Sequence, residues 1–157
     1  MNKTRNDLPE KTRKAMVEML NARLADSFDL MHQAKQAHWN VKGENFIGLH
    51  KLFDEIVDDA EEYTDLIAER VLQLGGIAEG TVHQVARRSQ LKEYPHEAHA
   101  QEQHVEALAS ALAAYGKSVR KAIDEADEIG DKDTADIFTE ISRGTDKWLW
   151  MVEAHLG

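Results

Sequence analysis

No cysteine occurs among the 157 residues, so disulfides, thiolate nucleophiles and the usual ligands of iron–sulfur clusters and structural zinc sites are absent. Only two prolines interrupt the chain, Pro9 and Pro95, which leaves long stretches free to remain helical. No run approaches the ~20 apolar residues that a membrane-spanning helix needs. The opening segment, Met1 to Lys14, is polar and has no apolar core of the kind a signal peptide carries, so a cytoplasmic location is expected. Positive charge is short as well: 19 Lys and Arg face 29 Asp and Glu, a formal net charge of −10. That balance disfavours broad attraction to nucleic acid or to an anionic membrane. What the chain has in quantity is Asp, Glu and His, the hard and borderline ligands of oxygen- and nitrogen-loving metals.

Four helical stripes are legible from spacings of three and four. The first runs through Val17, Leu20, Leu24, Phe28, Met31, Ala34 and His38. The second runs through Leu49, Phe53, Ile56, Ala60, Tyr63, Ile67, Val71 and Leu74, and stops at Gly75-Gly76. The third passes through Val105, Leu108, Leu112, Tyr115, Val119, Ala122 and Ala126 and is closed by Gly130. Pro95 suits the start of that third helix. The fourth holds Phe138, Ile141, Thr145, Trp148 and Val152, with Asp131 or Asp133 as its N-cap. The segment from Gly75 to Tyr94 is long for a loop; it is expected to cross the bundle, with room for a short helix. The reading is a single all-α domain over 1–157, with 1–8 as a short N-terminal extension. Its fold class is a ferritin-like four-helix bundle with a long crossover between helices 2 and 3. Periodicity alone does not separate this from another all-α bundle.

The second helix carries a polar stripe: His50, Asp54, Asp58, Glu61, Asp65 and Glu69. At ~100° per residue, Asp54 and Asp65 differ by only ~20° around the axis. The stripe lies more than ~90° from the apolar seam, so these groups face away from their own core. Axial distance then decides what they can do. Asp54 and Glu69 are separated by roughly 22 Å of helix, whereas two metal ions in one centre lie only about 3.5–4 Å apart. One copy of the helix cannot surround one centre; two antiparallel copies can. The midpoint of His50 and Glu69 and that of Asp54 and Asp65 coincide between Asp59 and Ala60. A two-fold axis there brings His50 level with the second copy's Glu69, and Asp54 level with its Asp65, giving two equivalent sites per dimer. Taken singly, each acid on a helix back is an ordinary solvated residue. His38 and Trp39 alone would pass for packing.

The segment AKQAHWNVKGENFIGLH with Asp54 and DLIAERVLQLGG after it, and the C-terminal DTADIFTEISRGTDKWLWMVEAHLG, resemble the Dps proteins ("DNA-binding protein from starved cells") over nearly the whole chain. The resemblance implies a hollow shell of twelve subunits with 23 symmetry. It implies oxidation of Fe(II), preferably by hydrogen peroxide, at centres of two irons shared between subunits, with zinc as a substitute metal and ferric mineral stored inside. It assigns His38, His50 and Asp54 as ligands from one subunit, Asp65 and Glu69 as ligands from its two-fold partner, and Trp39 as a neighbour of the centre. It also implies acidic three-fold pores, for which Asp131 and Asp136 are the candidates, and Asp58, Glu61 and Glu62 as candidates for mineral nucleation. Asp131, Asp133 and Asp136 equally suit a helix start, where carboxylates meet the positive end of the dipole.

DNA binding in that family rests on a Lys-rich tail. Here only Met1-Asn2-Lys3 precede the family-like segment, and Arg5, Lys11, Arg13 and Lys14 fall close to or within folded structure, so the balance is against it. His96, His99 and His104 are expected at the surface near the third helix start. His32, His83 and His155 have no evident partner. Two competing functions remain: a DNA-compacting protein with incidental metal binding, and a helical oligomer that buffers zinc or manganese.

Overall fold

The computed structural model describes residues 1–157 as five helices with no strand. They are α1 (Glu10–Asn40), α2 (Phe46–Gln73), α3 (Val82–Arg88), α4 (Gln101–Ile129) and α5 (Lys132–Glu153). Short connections make α1 and α2 one antiparallel hairpin and α4 and α5 another. The hairpins meet through α1 against α4 and α2 against α5, and the long connection between them holds α3, which lies on α1. This is the expected bundle, with the expected short helix in its crossover.

The apolar stripes read on the second, third and fourth long helices are the buried faces of α2, α4 and α5: every residue named in them is buried. Each large side chain closed off in this way contributes roughly 1.5–3 kcal/mol, so Phe53, Tyr115 and Phe138 are principal anchors of the core. α2 stops where Gly75 adopts φ +85°, a left-handed turn that a side chain would resist. Asp131 caps α5, its carboxylate accepting the backbone N–H of Thr134 at 3.1 Å.

α1 departs from a simple apolar stripe. Met16, Leu20, Leu24 and Ala34 are buried, but so are Asn21, Arg23, Asp26, Ser27 and Gln33. The crossover covers that flank and supplies their partners. Asn21 bonds the carbonyl of Ile77 and the N–H of Glu79, Asp26 accepts the N–H of Gln90, and Gln33 donates to the carbonyl of Lys92. Arg88 adds ion pairs to Glu18 and Glu79. Polar positions on α1 thus act as a seat for irregular backbone that would otherwise lack hydrogen bonds.

Two expectations near α4 are corrected. The helix starts at Gln101, not at Pro95; Pro95 sits in a turn closed by the N–H of Ala98, and Gln103 reaches back to the N–H groups of His99 and Ala100. His104 is not a surface residue but is buried, because the crossover folds Tyr94 over it. The extension 1–8 lies against the end of α2, where the N–H of Asn2 donates to the carbonyl of Gly75 at 2.7 Å. Arg13 reinforces that contact through the carbonyls of Leu8 and Leu74.

Candidate metal centre

The corner between α1 and α2 brings His38 and His50 face to face, with ring centroids 3.7 Å apart and planes inclined by 21°. Each ring is held by the other's backbone. His38 Nδ1 lies 2.7 Å from the carbonyl oxygen of His50, and His50 Nδ1 lies 2.8 Å from that of His38. A carbonyl only accepts, so both Nδ1 atoms carry the proton and donate. Each Nε2 is thereby left with a bare lone pair, the form in which imidazole binds a metal.

Asp54, one turn after His50, lies beside the pair: its Oδ1 is 3.9 Å from His38 Nδ1, on the protonated edge of that ring. Spacing did not reveal what else it meets. Lys35 Nζ lies 2.6 Å from the same oxygen. This hydrogen bond, more than the nearby imidazoles, holds the Asp54 carboxyl below the usual carboxylate range. Lys35 stands three residues before His38 and so shares its face of α1; the i, i+3 relation was the available signal. The ammonium sits on the carboxylate where a metal cation would also bind.

Asp65 and Glu69 are exposed on α2, with no ion pair or hydrogen bond from their side chains within the chain. They stand ~16 and ~22 Å along the axis from Asp54 at 1.5 Å per residue. The chain contains no set of three His, Asp or Glu side chains placed to hold one metal ion. Asp58, Glu61 and Glu62 are likewise exposed along the same helix. Trp39 is 65% exposed beside His38, Ile47 is 59% exposed, and the ring of Phe46 lies 5.1 Å from that of His50. A partly uncovered apolar rim therefore borders the polar corner.

The acids at the start of α5 separate into two kinds. Asp131 is buried at 2% exposure; it pairs with Arg70 Nη2 at 2.8 Å and accepts from the Thr134 hydroxyl at 2.6 Å. This corrects its place among pore candidates, since a carboxylate committed to a helix cap and a buried guanidinium has no face left for passing cations. Asp136 is exposed and remains available.

A model of the ferritin-like domain matches residues 17–157. The chain is 45% identical to the DNA protection during starvation protein of Agrobacterium fabrum, over 98% of this chain and 95% of that one. Its fold superimposes on Mycobacterium smegmatis Dps with a TM-score of 0.94 at 29% identity, covering 99% of this chain and 94% of that one. A Dps protein from Vibrio cholerae, described as a member of a broad superfamily of ferritin-like diiron-carboxylate proteins, gives a TM-score of 0.92 at 25% identity. That likeness covers 100% of this chain and 98% of that one.

Proposed function

The chain belongs to the Dps branch of the ferritin-like family, and from that premise we propose that it oxidises Fe(II) and stores the ferric product, in centres built by two subunits. The observation that carries this reading is the division of ligands along α2. His38, His50 and Asp54 gather at one end with both Nε2 lone pairs free, while Asp65 and Glu69 wait unpaired at the other. Antiparallel pairing of two α2 helices about a point between Asp59 and Ala60 brings each end opposite its complement.

Iron is the substrate. In such a pair the imidazoles hold Fe(II) without adding negative charge, and the carboxylates stabilise the charge that grows as each ion becomes Fe(III). Hydrogen peroxide, the proposed oxidant, takes one electron from each of two Fe(II) ions. Its O–O bond breaks and both oxygens leave as water, hydroxide or oxide of the mineral. Fe(II) and peroxide are consumed together, which denies them the reaction that makes hydroxyl radical, and DNA is protected without being touched. Zinc suits the same mixed nitrogen and oxygen ligands and would compete. Asp136 is proposed for the entry pore, and Asp58, Glu61 and Glu62 for holding the first ferric ions.

The assembly proposed is a closed shell of twelve chains with 23 symmetry, about 214 kDa from subunits of 17.8 kDa. The isolated subunit exposes 8946 Å², against roughly 8000 Å² for a compact monomer of this mass. Surface left for neighbours fits that excess. Direct DNA binding is not part of the proposal, because residues 1–8 lie on the end of α2. The test combines Asp65→Asn with Glu69→Gln. The double variant is expected to sediment as the parent does and to lose rapid peroxide-driven oxidation of Fe(II). An unchanged rate removes the two-subunit centre, and sedimentation of the parent as a monomer removes it outright.

A further inference from the structure

The face of α2 that carries the acids should be polar throughout if water alone covers it. Three large apolar side chains of α2 are nevertheless exposed: Phe46 at 38%, Ile47 at 59% and Leu72 at 52%. Phe46 has the ring of His50 beside it. Ile47 and Leu72 take no part in the core, and they stand at opposite ends of the helix. Asp65 follows Ile47 by 18 residues, and Leu72 follows Asp54 by the same 18. That spacing makes ~5 full turns, so Ile47 shares the azimuth of Asp65 and Leu72 that of Asp54. The two apolar residues thus terminate the polar stripe, one at each end.

Their positions are also mirrored. The midpoint of Ile47 and Leu72 falls between Asp59 and Ala60, the point about which His50 pairs with Glu69 and Asp54 with Asp65. A second copy laid antiparallel about that point sets its Leu72 level with Ile47. The pair lies ~4.5 Å beyond the level of His50 and the second copy's Glu69. The middle of the same contact is unfavourable, because it sets Asp54 level with an Asp65 and Asp58 level with a Glu61. An apolar pair at each end works in the opposite sense, by removing both side chains from water. Taken singly, an exposed leucine or isoleucine is ordinary. Placed symmetrically about the axis that the metal ligands define, the two fit a second copy of this chain.

We propose that Ile47 of one copy packs against Leu72 of the second, forming an apolar seal at the end of each metal centre that points away from the two-fold axis. This rests on the antiparallel pairing proposed above for the centre. The seal holds two acidic faces together before any metal neutralises them. It also keeps water and competing chelators from one end of the centre, where exclusion of water strengthens each ligand bond. Neither residue touches the metal.

The experiment treats the assembled, metal-free protein with a short bis-maleimide. The chain has no cysteine, so only introduced thiols react. The Ile47→Cys/Leu72→Cys double variant is expected to run as a covalent dimer on denaturing gels, with no longer ladder, because a two-fold contact closes on itself. Each single variant should stay monomeric, since like ends of the paired helices lie ~38 Å apart. A second measurement follows the rate at which EDTA strips Co(II) from Ile47→Ala, Leu72→Ala and their double variant. Each single truncation is expected to speed the loss on the order of fivefold, as for part of one aliphatic contact. The double should be no faster than either, because both open the same seal. The inference is overturned if the double cysteine variant stays monomeric or forms a ladder, or if either single one dimerises. It is overturned equally if the single truncations lose Co(II) as the parent does, or if their effects multiply. The cross-link needs no metal, so the two readings fail separately. Unchanged iron oxidation in Asp65→Asn/Glu69→Gln beside a cross-linked dimer would remove the iron centre and keep the contact.

Discussion

Replacing Lys35 with Met should strengthen metal binding, although it removes a hydrogen bond from Asp54, a proposed ligand. The ammonium lies 2.6 Å from Asp54 Oδ1 and must move before a metal ion takes that oxygen. In the isolated subunit both side chains are partly solvated, at 32% and 44% exposure, which places the pair in the range of surface ion pairs, about 0.2–1 kcal/mol. Displacing it weakens the apparent affinity by a factor of about 1.4 to 5, at 1.4 kcal/mol per tenfold. Met keeps the length of the side chain and removes the competitor. It also removes a positive charge that repels an incoming dication, so the expected gain is at the upper end, about three- to fivefold. The Asp54 pKa would rise toward the ordinary carboxylate value, which still leaves it ionised at neutral pH, so no proton penalty offsets the gain. Calorimetric titration with Zn(II) at neutral pH reads the effect. Repeating it at high salt should narrow the difference between Lys35→Met and the parent, since screening weakens the exposed pair. If Lys35→Met binds Zn(II) no more tightly than the parent at low salt, the ammonium is not a competitor and the argument fails.

Other outcomes follow from groups described above. Arg23 and Asp26 form a buried pair at 2.8 Å, so Asp26→Leu alone should cost about 3–5 kcal/mol by stranding the guanidinium. The double variant with Arg23→Leu should unfold at higher denaturant than that single one, and a double variant weaker than the single would contradict this. Asp131→Asn should lower the thermal midpoint by uncoupling Arg70, whereas Asp136→Asn should leave it in place and slow iron uptake. Equal thermal effects would show that the two acids had been wrongly separated. His104 is held neutral in the fold and takes up a proton more readily once unfolded, so its contribution is fully present above the unfolded value of about 6.5 and is lost as pH falls below it. The thermal midpoint of His104→Leu should therefore fall less steeply than the parent's as the pH drops below about 6.5; parallel curves would rule that out.

The apolar stripes of α2, α4 and α5 were readable because each helix has one side facing the core and another facing away. α1 was harder to read. Its flank under the crossover is built from Asn21, Asp26 and Gln33, and periodicity treats such residues as surface. Only the folded crossover supplies the backbone groups that make them interior. The same blind spot misplaced His104, whose burial depends on Tyr94, and gave Pro95 a helix that begins at Gln101. On α2, wheel angle and rise per residue were enough to group the acids and to separate their two ends. They could not show that a lysine on the neighbouring helix reaches Asp54, because that depends on how α1 and α2 are rotated against each other.

The reciprocal bonds between His38 and His50 mean that neither ring waits for a cation to be oriented. Their side-chain torsions are frozen when the hairpin forms, and no loss of rotational freedom is left for the moment of capture. Asp65 and Glu69 have no such hold within the chain, so they are free to follow an ion as its radius shrinks on losing an electron. The nitrogen side is a fixed anvil and the oxygen side an adjustable jaw, a division suited to gripping the same element in two sizes.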